Sequence, residues 1–252
     1  MAKFKLIKTK MMNRYSVFFP IRLIIFITVF ILYICKRDVL TAAVTHKFSV
    51  GTDLFGFTFL HLVWAFFMVM MLRHLFPIKE LSMALRKNEA ENFNEVEGYS
   101  ETELLKFVQD QNVKAWTVML VWLSFNAVWG ILYLCGVIGV PDLLMLTVFY
   151  FLCDYICILF FCPFQKVIMK NKCCVNCRIY DWGHFMMFTP MLFIQNFFSW
   201  SLFFTSVVVL IRWEISYAKN PQRFWSGSNK TLQCANCKDK TCQIKKRLAG
   251  QK

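Results

Sequence analysis

Apolar residues in this 252-residue chain arrive in runs of about twenty, and the charged residues are swept into the gaps between the runs. That pattern limits the fold more than any motif does. A segment surrounded by hydrocarbon must satisfy its own backbone hydrogen bonds, so runs of this length become spanning helices. Hydrophobic residues make up 58% of the chain and the mean hydropathy is +0.47, an excess that an ordinary soluble core does not need. The apolar runs at 17–35, 54–71, 116–137 and 143–161 predict four transmembrane helices. The first follows a basic stretch but is too long for a signal-peptide core and lacks a small-residue cleavage site, so it is expected to remain as a signal anchor.

A fifth apolar segment, 183–213, is harder to place. As one helix its 31 residues would reach roughly 46 Å, against a hydrocarbon core of roughly 30 Å. Pro190 interrupts the helical hydrogen bonding, and Gln195, Asn196, Ser199 and Ser201 put polar groups in its middle. Charge bears on the choice, because basic loops stay cytoplasmic. Lys and Arg number five in the N-terminal tail, three in 36–53, five in 77–114, none in 138–142, four in 164–182 and nine after Trp213. Segments 164–182 and 214–252 are therefore both expected in the cytoplasm. Segment 183–213 must then enter and return as a helical hairpin or re-entrant pair, near 184–196 and 198–212. The alternative is one long tilted helix with an external tail.

The expected fold is an all-α, polytopic integral membrane bundle: four transmembrane helices plus this hairpin. Its divisions are a basic N-tail (1–16), two spans (17–76), a cytoplasmic amphipathic segment (77–114), two spans (115–163), a Cys-rich cytoplasmic segment (164–182), the hairpin (183–213) and a basic Cys-rich tail (214–252). Segment 77–114 is expected to form two surface helices. The second opens on Ser100-Glu101-Thr102-Glu103, a capping box. The formal net charge of +14 is explained by juxtamembrane Lys and Arg meeting anionic lipid headgroups of a plasma membrane. It does not point to nucleic acid, since no basic reading helix accompanies it.

Two cysteine clusters flank the fifth segment. One holds Cys173, Cys174 and Cys177, the other Cys234, Cys237 and Cys242. The pairs Cys174/Cys177 and Cys234/Cys237 have the spacing of zinc knuckles, and two knuckles complete a tetrahedral thiolate site. Cys173 and Cys242 are additional thiols that allow an alternate ligand or an iron–sulfur cluster. The stretch Cys174-Val175-Asn176-Cys177-Arg178-Ile179-Tyr180-Asp181 is similar to the first knuckle of rubredoxin, with Arg178 where that family carries glycine; the resemblance implies an iron site. Structural zinc is the leading expectation, iron the second. A redox dithiol stands level with iron, because Lys172, Arg178, Lys238 and Lys240 would lower a thiol pKa.

Within the spans, Asp154 is costly enough to need a partner, for which His61, Asn126, Gln195 and Asn196 are candidates. Asp154 marks a possible proton or cation pathway, or a carboxyl that ties helices together. His61 and His74 have the spacing of haem ligands on one helix, but two such sites would need all four histidines, and His46 is expected in a loop. His184, seven residues after Cys177, is a candidate to replace a cysteine ligand. No phosphate loop, Gly-x-Ser-x-Gly elbow or His-Glu-x-x-His helix is present, so no enzyme class is assigned. The expected function is a membrane protein whose cytoplasmic cysteine site staples the hairpin to the tail, with transport around Asp154. A membrane redox protein and a non-catalytic scaffold are the alternatives.

Overall fold

The structure is a computed structural model that describes residues 9–45, 59–76, 82–171 and 173–248. Helix α1 (Lys10–Cys35) is capped by Thr9, whose side chain accepts from the Met12 amide at 3.2 Å. A short α2 (Arg37–Thr45) follows, then α3 (Phe59–Leu75) and the single turn α4 (Met83–Arg86). Next come α5 (Glu101–Leu134) and α6 (Val140–Leu159). Segment 183–213 forms α7 (Gly183–Phe188), a 3-10 stretch (Thr189–Phe193) and most of α8 (Phe197–Lys219); α9 (Cys242–Leu248) closes the described chain. The described residues form no β-strand, only an isolated antiparallel bridge between Glu95 and Asn229.

Side-chain pairs at both ends fix the helix directions. Asp142 at the start of α6 takes Tyr33 from the end of α1 and Arg37 from the start of α2, at 2.5 and 2.6 Å. At the other end Tyr15 and Phe19 pack edge-on to Tyr155 and Phe160. Helices α1 and α6 are thus antiparallel, and so are α5 and α6, which meet at Trp122, Asn126 and Tyr150. Helix α3 runs parallel to α8: Trp64 donates to Ser201 near their starts and Arg212 donates to the His74 carbonyl near their ends. The N-terminus of α1, the end of α3, segments 82–97 and 164–182 and the tail all gather at one end of the bundle. Large apolar side chains such as Ile24, Val69, Leu120 and Phe204 remain exposed on its flanks. A water-soluble monomer seldom leaves that much carbon uncovered.

Among the described residues, four helices are long and apolar enough to cross a membrane: α1, α5, α6 and α8. They are not the four expected from the sequence. The second apolar run appears as α3, whose 17 residues span about 26 Å; residues 54–58 of the expected span lie outside the described residues. The fourth long helix is α8, from the fifth segment. A second correction concerns 77–114. Its expected second surface helix is not separate, because α5 runs unbroken through 34 residues from its Ser100 cap into the span. No Gly or Pro intervenes between Glu101 and Gly130, so polarity changes along the helix while the backbone continues. Ser100 Oγ accepts from the Glu103 amide at 3.4 Å, as the capping sequence predicts.

Segment 183–213 reverses direction. The 3-10 turn carrying buried Pro190 ends at Ile194, and Asn196 starts α8 by accepting from the Ser199 amide at 2.7 Å. The two ends of the segment then meet. Trp182 Nε1 donates to Glu214 at 2.8 Å, Arg178 pairs with Glu214 at 2.5 Å, and Trp213 Nε1 donates to the Arg178 carbonyl at 2.6 Å. At the tip, the Phe193 ring lies against Gly130 of α5, where a Cβ would stand 2.1 Å from it.

Candidate functional site

The end of the bundle where the loops gather holds a chamber of about 120 Å³, lined by charged and polar groups among apolar ones. Three elements supply its ligand-type groups. His74 ends α3, Asp181 lies in a 3-10 turn (Tyr180–Trp182), and His184 opens α7. His74 Nδ1 lies 2.6 Å from Asp181 Oδ1, and the two imidazoles meet edge to face with centroids 4.7 Å apart. One ligand atom from each of the three residues falls within 4.8 Å of the other two. Asp181 is buried, and its bond to His74 fixes the orientation of that ring, as carboxylate partners do for metal-ligating histidines.

The floor of the chamber, toward the middle of the bundle, is an ion pair. Arg22 of α1 reaches Asp154 of α6 at 2.8 Å and the Phe151 carbonyl at 2.6 Å. Its guanidinium lies over the Phe151 and Tyr155 rings, at 4.0 and 3.6 Å. The partner of Asp154 is thus Arg22 rather than any of the four residues expected. Asn126 is buried between the Tyr150 hydroxyl and the Trp122 carbonyl. Asn196 caps α8, and His61 lies edge-on to Phe198. Gln195 sits beside Asn196 at the hairpin turn. Gly183 packs directly on Asp154, since a Cβ there would come 3.1 Å from Oδ1. The opposite wall holds Tyr15 and Tyr180, hydroxyl to hydroxyl at 2.7 Å; burial pushes the Tyr180 phenol well above its ordinary pKa and keeps it neutral.

Both cysteine clusters reach this same end of the molecule. Each Cys-x-x-Cys forms a tight turn: the Cys177 amide donates to the Cys174 carbonyl at 3.0 Å and the Cys237 amide to the Cys234 carbonyl at 3.4 Å. The Lys240 amide points at Cys237 Sγ, 3.5 Å away. Cys173 hydrogen-bonds Cys242 and packs with Cys237 around Ala84, Val175 and Leu232. Cys174 donates to Gln165 and accepts from Lys245 Nζ at 2.9 Å. Cys177 is buried, Cys234 exposed. No three of these six thiols have sulfurs mutually within 4.8 Å among the described residues. Burial pushes the Cys177 thiol up to about 12 and raises Cys174 and Cys237 as well. Cys173 is raised first by its bond to Cys242 and then by burial. Beside them Lys87 is buried, donates to the Cys177 carbonyl at 3.0 Å, and has its pKa pushed down to about 8 by burial.

Sequence reasoning passed over Arg22 and Asp181. Each carried a signal. Arg22 is the sole Lys or Arg, and Asp154 the sole Asp or Glu, in the four apolar runs first identified, so the two were natural partners. Asp181 and His184 are three apart, a helical spacing that puts both on one face. Comparison with known protein families, with curated proteins and with solved structures gave no match for this chain.

Proposed function

We propose that this chain is an integral membrane protein that holds a divalent transition-metal ion at His74, Asp181 and His184, with coordination positions left open toward the chamber. The convergence of these three side chains from separate elements, at the edge of a cavity, carries the reading. Two imidazoles and a carboxylate suit zinc or ferrous iron. Three protein ligands with an open position are the arrangement of catalytic rather than structural sites, where the ion activates water or polarises a bound oxygen. Buried Asp181, the Arg22–Asp154 pair and neutral Tyr180 would hold the surroundings fixed. In this reading the end where the basic segments gather is cytoplasmic, with both termini inside, and segment 183–213 is a membrane hairpin.

A second reading keeps the cysteines as the ligands. The meeting of Cys173, Cys237 and Cys242 from both clusters favours it, and a soft ion there would staple the tail to 164–182. Metal analysis of purified protein separates the two. The first reading expects about one zinc or iron per chain, lost in His74→Ala and His184→Ala and kept in a Cys173→Ser/Cys237→Ser/Cys242→Ser variant. The converse pattern replaces it with the thiol site.

A further inference from the structure

The chamber ends at a wall that includes Asp154 and Gly183. A second cavity, about 540 Å³, opens on the other side of that wall between α5, α6 and segment 162–187. Carbon dominates its walls, with Trp122, Phe149, Phe164 and Met186 among them. Chamber and groove share Asp154, Ile158, Tyr180, Gly183 and Met187. The seam therefore runs past Gly183, where a side chain would press on Asp154. At the outer rim Val121, Phe125 and Phe161 are exposed on the apolar flank of the bundle, so the groove opens where lipid would lie. Its volume falls within the roughly 300–1,000 Å³ of sites that enclose most of a small ligand.

Charge points to the other end of the occupant. Arg14, Arg22, Asp154 and Asp181 balance one another around the chamber, and a divalent ion at the histidines leaves it two charges positive. A ligand that fills both spaces needs an apolar chain and an anionic head. Phosphate fits that head best, because it offers oxygens to the open metal positions and to the exposed Arg14 fork together. We propose that the protein binds a single-chain lipid phosphate, with its chain in the α5–α6 groove and its phosphate in the chamber. This rests on the metal reading above for the charge of the chamber, while the groove exists without the ion.

The test uses the full chain in nanodiscs of neutral phosphatidylcholine, with zinc content measured first. Hexadecyl phosphate, hexadecanol and inorganic phosphate are then titrated separately. One saturable hexadecyl phosphate per chain is expected, with the other two at least about tenfold weaker because each meets only half of the site. Val121→Trp, at the exposed rim, should weaken hexadecyl phosphate and leave zinc unchanged. Arg14→Gln should weaken hexadecyl phosphate and leave hexadecanol unchanged. A chain that holds zinc but binds hexadecyl phosphate no better than hexadecanol, or ignores Val121→Trp, overturns the lipid proposal and leaves the metal reading standing. A chain without zinc that still prefers hexadecyl phosphate overturns the metal reading and supports the groove. Neither zinc nor preference overturns both.

Discussion

The Arg22–Asp154 pair makes an asymmetric prediction. Only 9% of the Arg22 side chain is exposed, against 34% for Asp154, which faces the chamber. Asp154→Asn leaves a guanidinium in the bundle with the Phe151 carbonyl and two aromatic faces as its remaining partners. Stranding a buried charge in this way costs about 3–5 kcal/mol. Arg22→Met strands a carboxylate that chamber water can still reach, and about 1–3 kcal/mol is expected. The double variant removes both charges and places a flexible apolar chain between Phe151 and Tyr155, so it should be more stable than Asp154→Asn alone. Thermal unfolding in detergent, followed with a thiol-reactive dye at fixed scan rate, reads these differences through buried Cys177 and the half-buried thiols. At about 2–4 °C per kcal/mol for a chain of this size, Asp154→Asn should lower Tm by about 6–20 °C. The reasoning fails if Arg22→Met is the more damaging single change, or if the double variant shows the simple sum of the two losses.

Burial raises the Asp239 pKa to about 6, and its carboxylate accepts from the Met83 amide at 2.9 Å. Its folded pKa lies above the unfolded 3.8, so this contribution is full below about pH 4 and is lost as pH rises through 6. Asp239→Asn keeps the acceptor and should stabilise the tail by about 2–3 kcal/mol at pH 7 with no gain at pH 4, read as slower hydrogen exchange in 228–242. Lys87 has the opposite sign of shift. The folded state binds fewer protons than the unfolded between about pH 8 and 10.5, so stability should rise with pH there. The rise should be clearest between pH 8 and 9, because the raised Cys177 thiol opposes it above 9. Lys87→Met should flatten this slope in pH-dependent unfolding and raise stability at pH 7. Gly130→Ala should cost about 1–3 kcal/mol by driving into the Phe193 ring, and Phe193→Leu should recover part of the loss. Equal Tm values for Gly130→Ala and wild type would mean that the hairpin tip does not pack on α5.

Much of the architecture was legible because hydropathy and charge report on solvent, and solvent dictates helices in a bilayer. Runs 17–35, 116–137 and 143–161 correspond to α1, α5 and α6, and the polar break near Pro190 and Asn196 corresponds to the reversal before α8. Helix ends were less legible. The split assigned at Lys114 followed polarity, whereas a helix stops where a cap or breaker stops it, and α5 meets neither until Leu134. The chamber was the least legible part. His74, Asp181 and His184 lie on separate elements, and what joins them is the tertiary contact of α3 and α7 with α8, which no local period encodes.

The cysteine clusters flank a stretch whose two ends are also joined by other side chains. Their spacing suggested, as the leading expectation, a shared metal that staples the tail to the base of 183–213. In the structure those ends are joined without thiols, through a carboxylate, a guanidinium and two indoles: Glu214 takes Arg178 and Trp182, and Trp213 returns a bond to the Arg178 carbonyl. Arg178 is the residue that departs from the rubredoxin-like knuckle, and a glycine there could not make this closure. The same turn that positions Arg178 toward Glu214 carries Asp181 toward His74 three residues later. The contacts that close the hairpin and those that assemble the His–Asp–His group therefore share the stretch 178–184, and Cys173 and Cys237 pack with Tyr180 around Ala84, Val175 and Leu232.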